Sequence, residues 1–163
     1  MTPNNSVSES SIRAIVGHQF PGGVYTIEHW ENFLITECTG SQIMQDGVVH
    51  PAALFHVPII GSGTSIAKMF ALGQAESDLS ISIESYDWEM HRPLKEDMAY
   101  QVNGRVVSAE RRQNEQGRDY DRIQFCFEMA EPDGELAART TIIWHYGRSE
   151  GRSEGRSGRS ASK

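Results

Sequence analysis

Apolar residues recur along this chain at two spacings, and the change from one to the other falls near Gly73. Over residues 61–73, Ile66, Met69, Phe70 and Leu72 recur at helical intervals with Lys68 as the one charge. A helix that is apolar on most sides has to be covered on most sides. Past Gly73 the period falls to two: Leu79, Ile81 and Ile83 alternate with Ser80, Ser82 and Glu84, and Tyr86, Trp88 and Met90 continue on the opposite parity. A parity change inside one strand is what a β-bulge produces, so a bulge is expected near Ser85. Met98, Tyr100, Val102 and Val106, then Ile123, Phe125, Phe127 and Met129, then Ile142, Trp144 and Tyr146 predict three further strands. The expected class is α+β: one domain over residues 11–146, four antiparallel strands wrapped around a central helix capped by Ser62, Thr64 or Ser65.

The flanking segments are weaker in pattern. Residues 1–10 are polar and are expected to be flexible, with Ser11 capping a short turn that stops at Gly17. Thr26 is expected to cap a helix whose apolar face, Ile27, Trp30, Phe33 and Leu34, lies against the sheet. Residues 38–58 hold two prolines and no sustained period, which predicts an irregular overhang leading into the central helix. Arg111 to Asp121 reads as a charged connection, and Glu131-Pro132-Asp133-Gly134 as a hairpin turn. From Gly147 to Lys163 the chain repeats Gly-Arg-Ser-Glu with a single alanine as its apolar content, which predicts a disordered tail.

Charge narrows the function. The formal net charge is -7, and the last seventeen residues carry five Arg or Lys against two Glu, leaving -10 on the remainder. A body so acidic is a poor match for a nucleic-acid backbone. Cys38 and Cys126 have no metal or disulfide spacing, no apolar run reaches membrane-spanning length, and residues 1–6 lack the basic and apolar regions of a secretory signal. A cytoplasmic protein without cofactor or metal is expected.

A helix wrapped by a long bulged sheet and preceded by an overhang resembles the hotdog fold. Over Trp88 to Tyr146 the order of His91-Arg92-Pro93-Leu94-Lys95-Glu96-Asp97, Gly104-Arg105-Val106-Val107, Gly117-Arg118, Phe125 to Glu128 and Asp133-Gly134-Glu135-Leu136 resembles the MaoC-like acyl dehydratases, in particular the N-terminal domain of double-hotdog hydratases. That resemblance implies an acyl thioester on coenzyme A or a carrier protein, bound between two hotdog units in a homodimer or a heterodimer, and reversible addition of water to a 2-enoyl double bond. In active members a Gly-Asp-x-Asn-Pro-x-His motif supplies the aspartate and histidine. Residues 40–46 here lack that Asp, the Asn-Pro and the His, and Ile60-Gly61 stands where the family has His-Gly.

Hydration of an enoyl thioester needs a base, an acid and donors for the oxygen that develops charge. Asp46 and His50, four residues apart in the overhang, are the expected acid and base, with His56 next. Backbone N–H groups of Gly61, Ser62 and Gly63, at an expected helix N-terminus, are candidates for the thioester oxygen. Arg92 either ends a strand or meets a ligand phosphate. Each has a plainer reading: a turn at Asp46-Gly47, a packed ring at His56, a tight turn at the glycines. A lyase of acyl thioesters is the first expectation; a non-catalytic hotdog subunit paired with a catalytic partner, or a thioesterase, is the alternative.

Overall fold

The structure, a computed structural model, describes residues 7–149. The period-two segments form β2 (Ile81–Met90), β3 (Ala99–Gln113), β4 (Asp119–Ala130) and β5 (Leu136–Gly147), and a short strand the pattern did not announce, β1 (Gly23–Thr26), adds a fifth. The sheet runs in the order β1-β3-β4-β5-β2 with every neighbouring pair antiparallel. The register of β2 against β5 shifts between Ile83 and Ser85, the bulge expected from the parity change. It keeps Ile81, Ile83, Tyr86, Trp88 and Met90 opposite Tyr146, Trp144, Ile142, Thr140 and Ala138, residues whose side chains are buried on the inner face. Val102, Val106, Ile123, Phe125 and Phe127 complete that face. The outer face carries a ladder of ion pairs, Arg105–Glu128–Arg139–Glu89. Arg111 and Asp121 are cross-strand partners rather than the ends of a loop, so the β3–β4 connection shortens to residues 114–118. The Asp133-Gly134 turn forms as expected, with Gly134 N–H donating to the Glu131 carbonyl at 2.8 Å.

The central helix is in two pieces, α3 (Val57–Gly61) and α4 (Ile66–Leu72), with a 3-10 turn at Pro51–Phe55 ahead of them. Val57, Pro58, Ile59 and Gly61 are buried, and α3 packs on β1, β3 and β4. In α4 Met69 alone is fully buried, and Ile66 is 41% exposed, so the covering expected for residues 62–72 belongs to α3 instead. The break has a local cause. Gly63 takes φ +77°, which ends α3, and the Ser65 side chain accepts from Lys68 N–H at 3.2 Å to begin α4.

The helix expected from Thr26 also shifts. Thr26 ends β1, and α2 (His29–Thr39) begins after Glu28. Its inward residues are Glu31, Asn32 and Thr36, whereas Trp30, Phe33 and Leu34 face outward. Both terminal boundaries move outward as well. Ser8 caps α1 (Glu9–Arg13) and Val7 packs on the core, so residues 7–10 of the stretch expected to be flexible belong to the folded body. Gly147 closes β5 and Arg148 is buried, which corrects the tail boundary set at Gly147; residues 1–6 and 150–163 lie outside the described residues. Among the described residues no helix is long and apolar enough to cross a membrane.

Candidate functional site

Burying a carboxylate is costly unless it is paired, so Glu31, only 8% exposed on α2, marks a place where the fold holds a charge for a reason. Its Oε1 accepts from the Tyr25 hydroxyl at 2.9 Å and lies 3.2 Å from His56 Nε2. Three elements meet here: β1 brings Tyr25, α2 brings Glu31, and the junction between the 3-10 turn and α3 brings His56. Burial, reinforced by the Glu31 carboxylate, pushes the Tyr25 phenol up to about 12, so it stays a donor throughout the neutral range. When Nε2 carries the proton given to Glu31, Nδ1 of His56 is the nitrogen left with a lone pair.

His56 lines a groove of about 460 Å³ together with Leu34, Ile35, Cys38, Ala52, Phe55 and Trp88. Apart from the histidine and Thr39 these are apolar or weakly polar side chains, and the exposed apolar residues of α2 supply one wall. Phe55 stacks on Tyr86 with centroids 4.9 Å apart, which ties the floor of the groove to β2. Next to it, Asn32 joins α2 to the overhang: its amide donates to Glu96 Oε1 at 2.6 Å and to the Val48 carbonyl at 3.2 Å, and accepts from His50 N–H at 2.9 Å. The Asn32 amide, with His29 behind it, lowers the Glu96 carboxyl below its ordinary range.

The expected acid–base pair is not brought together. Asp46 is exposed in the turn before Gly47 with φ +59°, and His50 instead accepts from Ala52 N–H through Nδ1 at 3.1 Å, capping the 3-10 turn. Among the described residues no hydrogen bond or ion pair links the two. Of the three expected catalytic residues, His56 alone sits against a carboxylate and at a groove.

The donors expected at Gly61, Ser62 and Gly63 are spent. These residues end a helix instead of starting one, and N–H of Ser62 and Gly63 donate to the Pro58 and Ile60 carbonyls at 3.1 and 3.0 Å. Ser62 Oγ is likewise committed to the Ile59 carbonyl at 2.8 Å. No ligand reaches Gly61 from its open side, because a Cβ there would stand 2.9 Å from Val102 Cγ2. Arg92 is also engaged: it pairs with Glu131 at 2.7 Å and Asp133 at 3.3 Å, both of which hold its guanidinium charged. Among the described residues no group of three or more His, Cys, Asp or Glu side chains is placed to hold a metal ion.

No protein-family model and no curated protein matches the sequence. Solved structures match its shape. The ChsH1–ChsH2 complex from Mycobacterium tuberculosis aligns at 13% identity and TM-score 0.65 over 88% of this chain and 91% of that one. The C-terminally truncated HadBC (3R-hydroxyacyl-ACP dehydratase) complex of the same organism aligns at 11% identity and TM-score 0.61, covering 80% and 96%. A MaoC-like dehydratase aligns at 14% identity and TM-score 0.61 over 83% of this chain and 43% of its own. The chain has the hotdog fold. In hotdog terms α3 and α4 are the central helix and the segment from Gly40 to His56 is the overhang. Tyr25 and Glu31 are not legible in the sequence because one lies on a strand and the other on a helix, and His56, the third member, is 25 residues beyond Glu31; the available signal was Glu31-Asn32 interrupting an otherwise apolar stripe.

Proposed function

We propose that this hotdog chain binds an acyl thioester, its acyl chain in the groove lined by Leu34, Phe55 and Trp88, and catalyses reversible hydration of a 2-enoyl thioester. The observation that carries this reading is the His56–Glu31 contact of 3.2 Å at the wall of an apolar groove. His56 takes a proton from water as the water oxygen bonds C3 of the enoyl group, and the imidazolium returns that proton to C2, so that the net change is addition of one water and the histidine is regenerated. Glu31 and Tyr25 hold the imidazole and stabilise its cationic form; neither needs to touch substrate. HadBC is a 3R-hydroxyacyl-ACP dehydratase, and another structural neighbour, PhaJ1 from Pseudomonas aeruginosa, aligned at TM-score 0.51, is an R-hydratase, which supports the reaction class.

A complete site on this reading requires a second hotdog subunit. Strand β2 is a sheet edge whose outer side pairs with no strand among the described residues, and unpaired edges invite pairing. Two of the neighbours are complexes, which supports association of this chain with another subunit. The missing Asp and His of the family motif favour a second reading, in which this chain shapes the acyl groove and the other subunit supplies the chemistry.

The test is loss of enoyl absorbance with 2-enoyl-CoA substrates of four to twelve carbons, for the parent and His56→Ala. Turnover is expected to fall by roughly two to four orders of magnitude in the variant. Equal rates overturn the assignment of His56. A parent that binds acyl-CoA without hydrating it favours the second reading, and free thiol released from a saturated acyl-CoA makes the chain a thioesterase.

A further inference from the structure

We infer that the subunit that completes the sheet at β2 is a different chain with basic residues on its outer strand face, and not a second copy of this one. This rests on the reading that a hotdog subunit docks at that edge, and adds which one. β2 offers such a partner two unlike faces. Inward, Ile83, Trp88 and Met90 are 60%, 41% and 40% exposed although they sit on the core side of the sheet, because nothing lies beyond them on that side. Outward, the positions are Ser82, Glu84, Ser85, Asp87 and Glu89. Glu84 is held by Arg122 and His145, and Glu89 by Arg139 within the described residues. Asp87 has no cationic partner there; its carboxylate accepts only from Ser85 Oγ at 3.1 Å.

Symmetry sets what a second copy would meet. In an antiparallel pair, residues directly opposite share a face, and directly opposite or diagonal side chains interact. Beyond the bulge the outward positions are Ser85, Asp87 and Glu89, and a two-fold axis that keeps the apolar face inside and pairs Asp87 within this stretch is centred on Tyr86, Asp87 or Trp88. Centred on Tyr86, Asp87 faces Ser85 and lies diagonal to its own copy. Centred on Asp87, it faces itself. Centred on Trp88, it faces Glu89 twice. Each of the three brings carboxylates together with no cation added, and like charges directly opposite are destabilising. The described residues, 7–149, hold eleven Lys or Arg against twenty Asp or Glu, so every register also joins two bodies of the same sign. A strand with apolar residues inward and Lys or Arg outward satisfies both faces of β2 at once.

The experiment uses the full chain, an Asp87→Lys variant and their equimolar mixture, with mass measured by sedimentation at about 10 μM and low salt. The wild type alone is expected to run as a monomer or weak dimer. The mixture is expected to associate at least roughly tenfold more tightly than the wild type, and to lose that gain at high salt. A wild-type dimer whose strength is indifferent to salt and is not exceeded by the mixture overturns the inference. So does a mixture that fails to associate more than the wild type, since charge at Asp87 then does not decide the pairing. Neither outcome depends on enzyme activity, so a failure here leaves the role of His56 open to its own test.

Discussion

Arg148 Nε donates to Asp121 Oδ2 at 2.6 Å, and the two side chains are 5% and 0% exposed. Arg111 grips the other oxygen of the same carboxylate at 2.8 Å, and Arg148 also reaches the Gly73 and Gln74 carbonyls that end α4. A residue just past the last strand thus fastens the central helix to the sheet. Arg148→Ala leaves Asp121 buried with one partner lost and two helix carbonyls unpaired, and is expected to cost about 3 kcal/mol, or roughly 10 °C of melting temperature. Calorimetry of chains ending after Gly147 and after Ser149 separates the anchor from the rest of the tail: the first is expected to melt well below the full chain and the second close to it.

The Tyr25 phenol offers a direct reading of the site. Its protonated form is favoured in the folded state, so the associated stability is fully present below pH 10 and is lost as the pH rises through about 12. The absorbance difference between the parent and Tyr25→Phe, followed through alkaline titration, is expected to show one phenol with a midpoint near 12. A midpoint at the ordinary value would show that the phenol is neither buried nor in contact with Glu31 in solution.

At the acid end Glu84 is the sensitive group. Hydrogen bonds from Arg122, and then His145, lower its carboxyl to about 2. Because its folded pKa is depressed, the stability it contributes is present above about 4.5 and is lost as pH falls toward 2. Urea unfolding across that window is expected to show a shallower decline in Glu84→Gln than in the parent. Glu84 sits in the bulge on β2, so the edge strand is expected to loosen first, visible as faster amide exchange at Ser85 to Met90.

The two cysteines differ in access. Cys38 is exposed and lines the groove, whereas Cys126 is buried and its thiol is pushed up by that burial. Alkylation at neutral pH is expected to label Cys38 and spare Cys126. A long-chain acyl-CoA is expected to slow labelling of Cys38, and free coenzyme A to do so less; equal rates with and without the acyl-CoA would remove the acyl chain from the groove.

The strands were legible because a period of two is a local signal, and the parity change at Ser85 carried even the bulge. The central helix was misread at its ends. Pro58 at the first turn and Gly61 to Gly63 after it spell a start and a stop for a short helix, yet glycines followed by Ser and Thr equally fit the opening of the next one. The inward turn of Glu31 was illegible for another reason: helical periodicity finds an apolar face and assigns it to the core, and here Trp30, Phe33 and Leu34 point outward. His56 was found as a residue but not as a site, since Glu31 and Tyr25 reach it only through tertiary structure.

Arg148 belongs to a tripeptide, Gly147-Arg148-Ser149, that recurs as Gly151-Arg152-Ser153, Gly155-Arg156-Ser157 and Gly158-Arg159-Ser160. Deleting one four-residue unit, 147–150, moves Gly151, Arg152 and Ser153 into the places of the three they replace, and the buried carboxylate of Asp121 meets the same side chain as before. The fold is therefore indifferent to the number of units that follow it. A tail built this way can be shortened by whole units while the last strand keeps its latch.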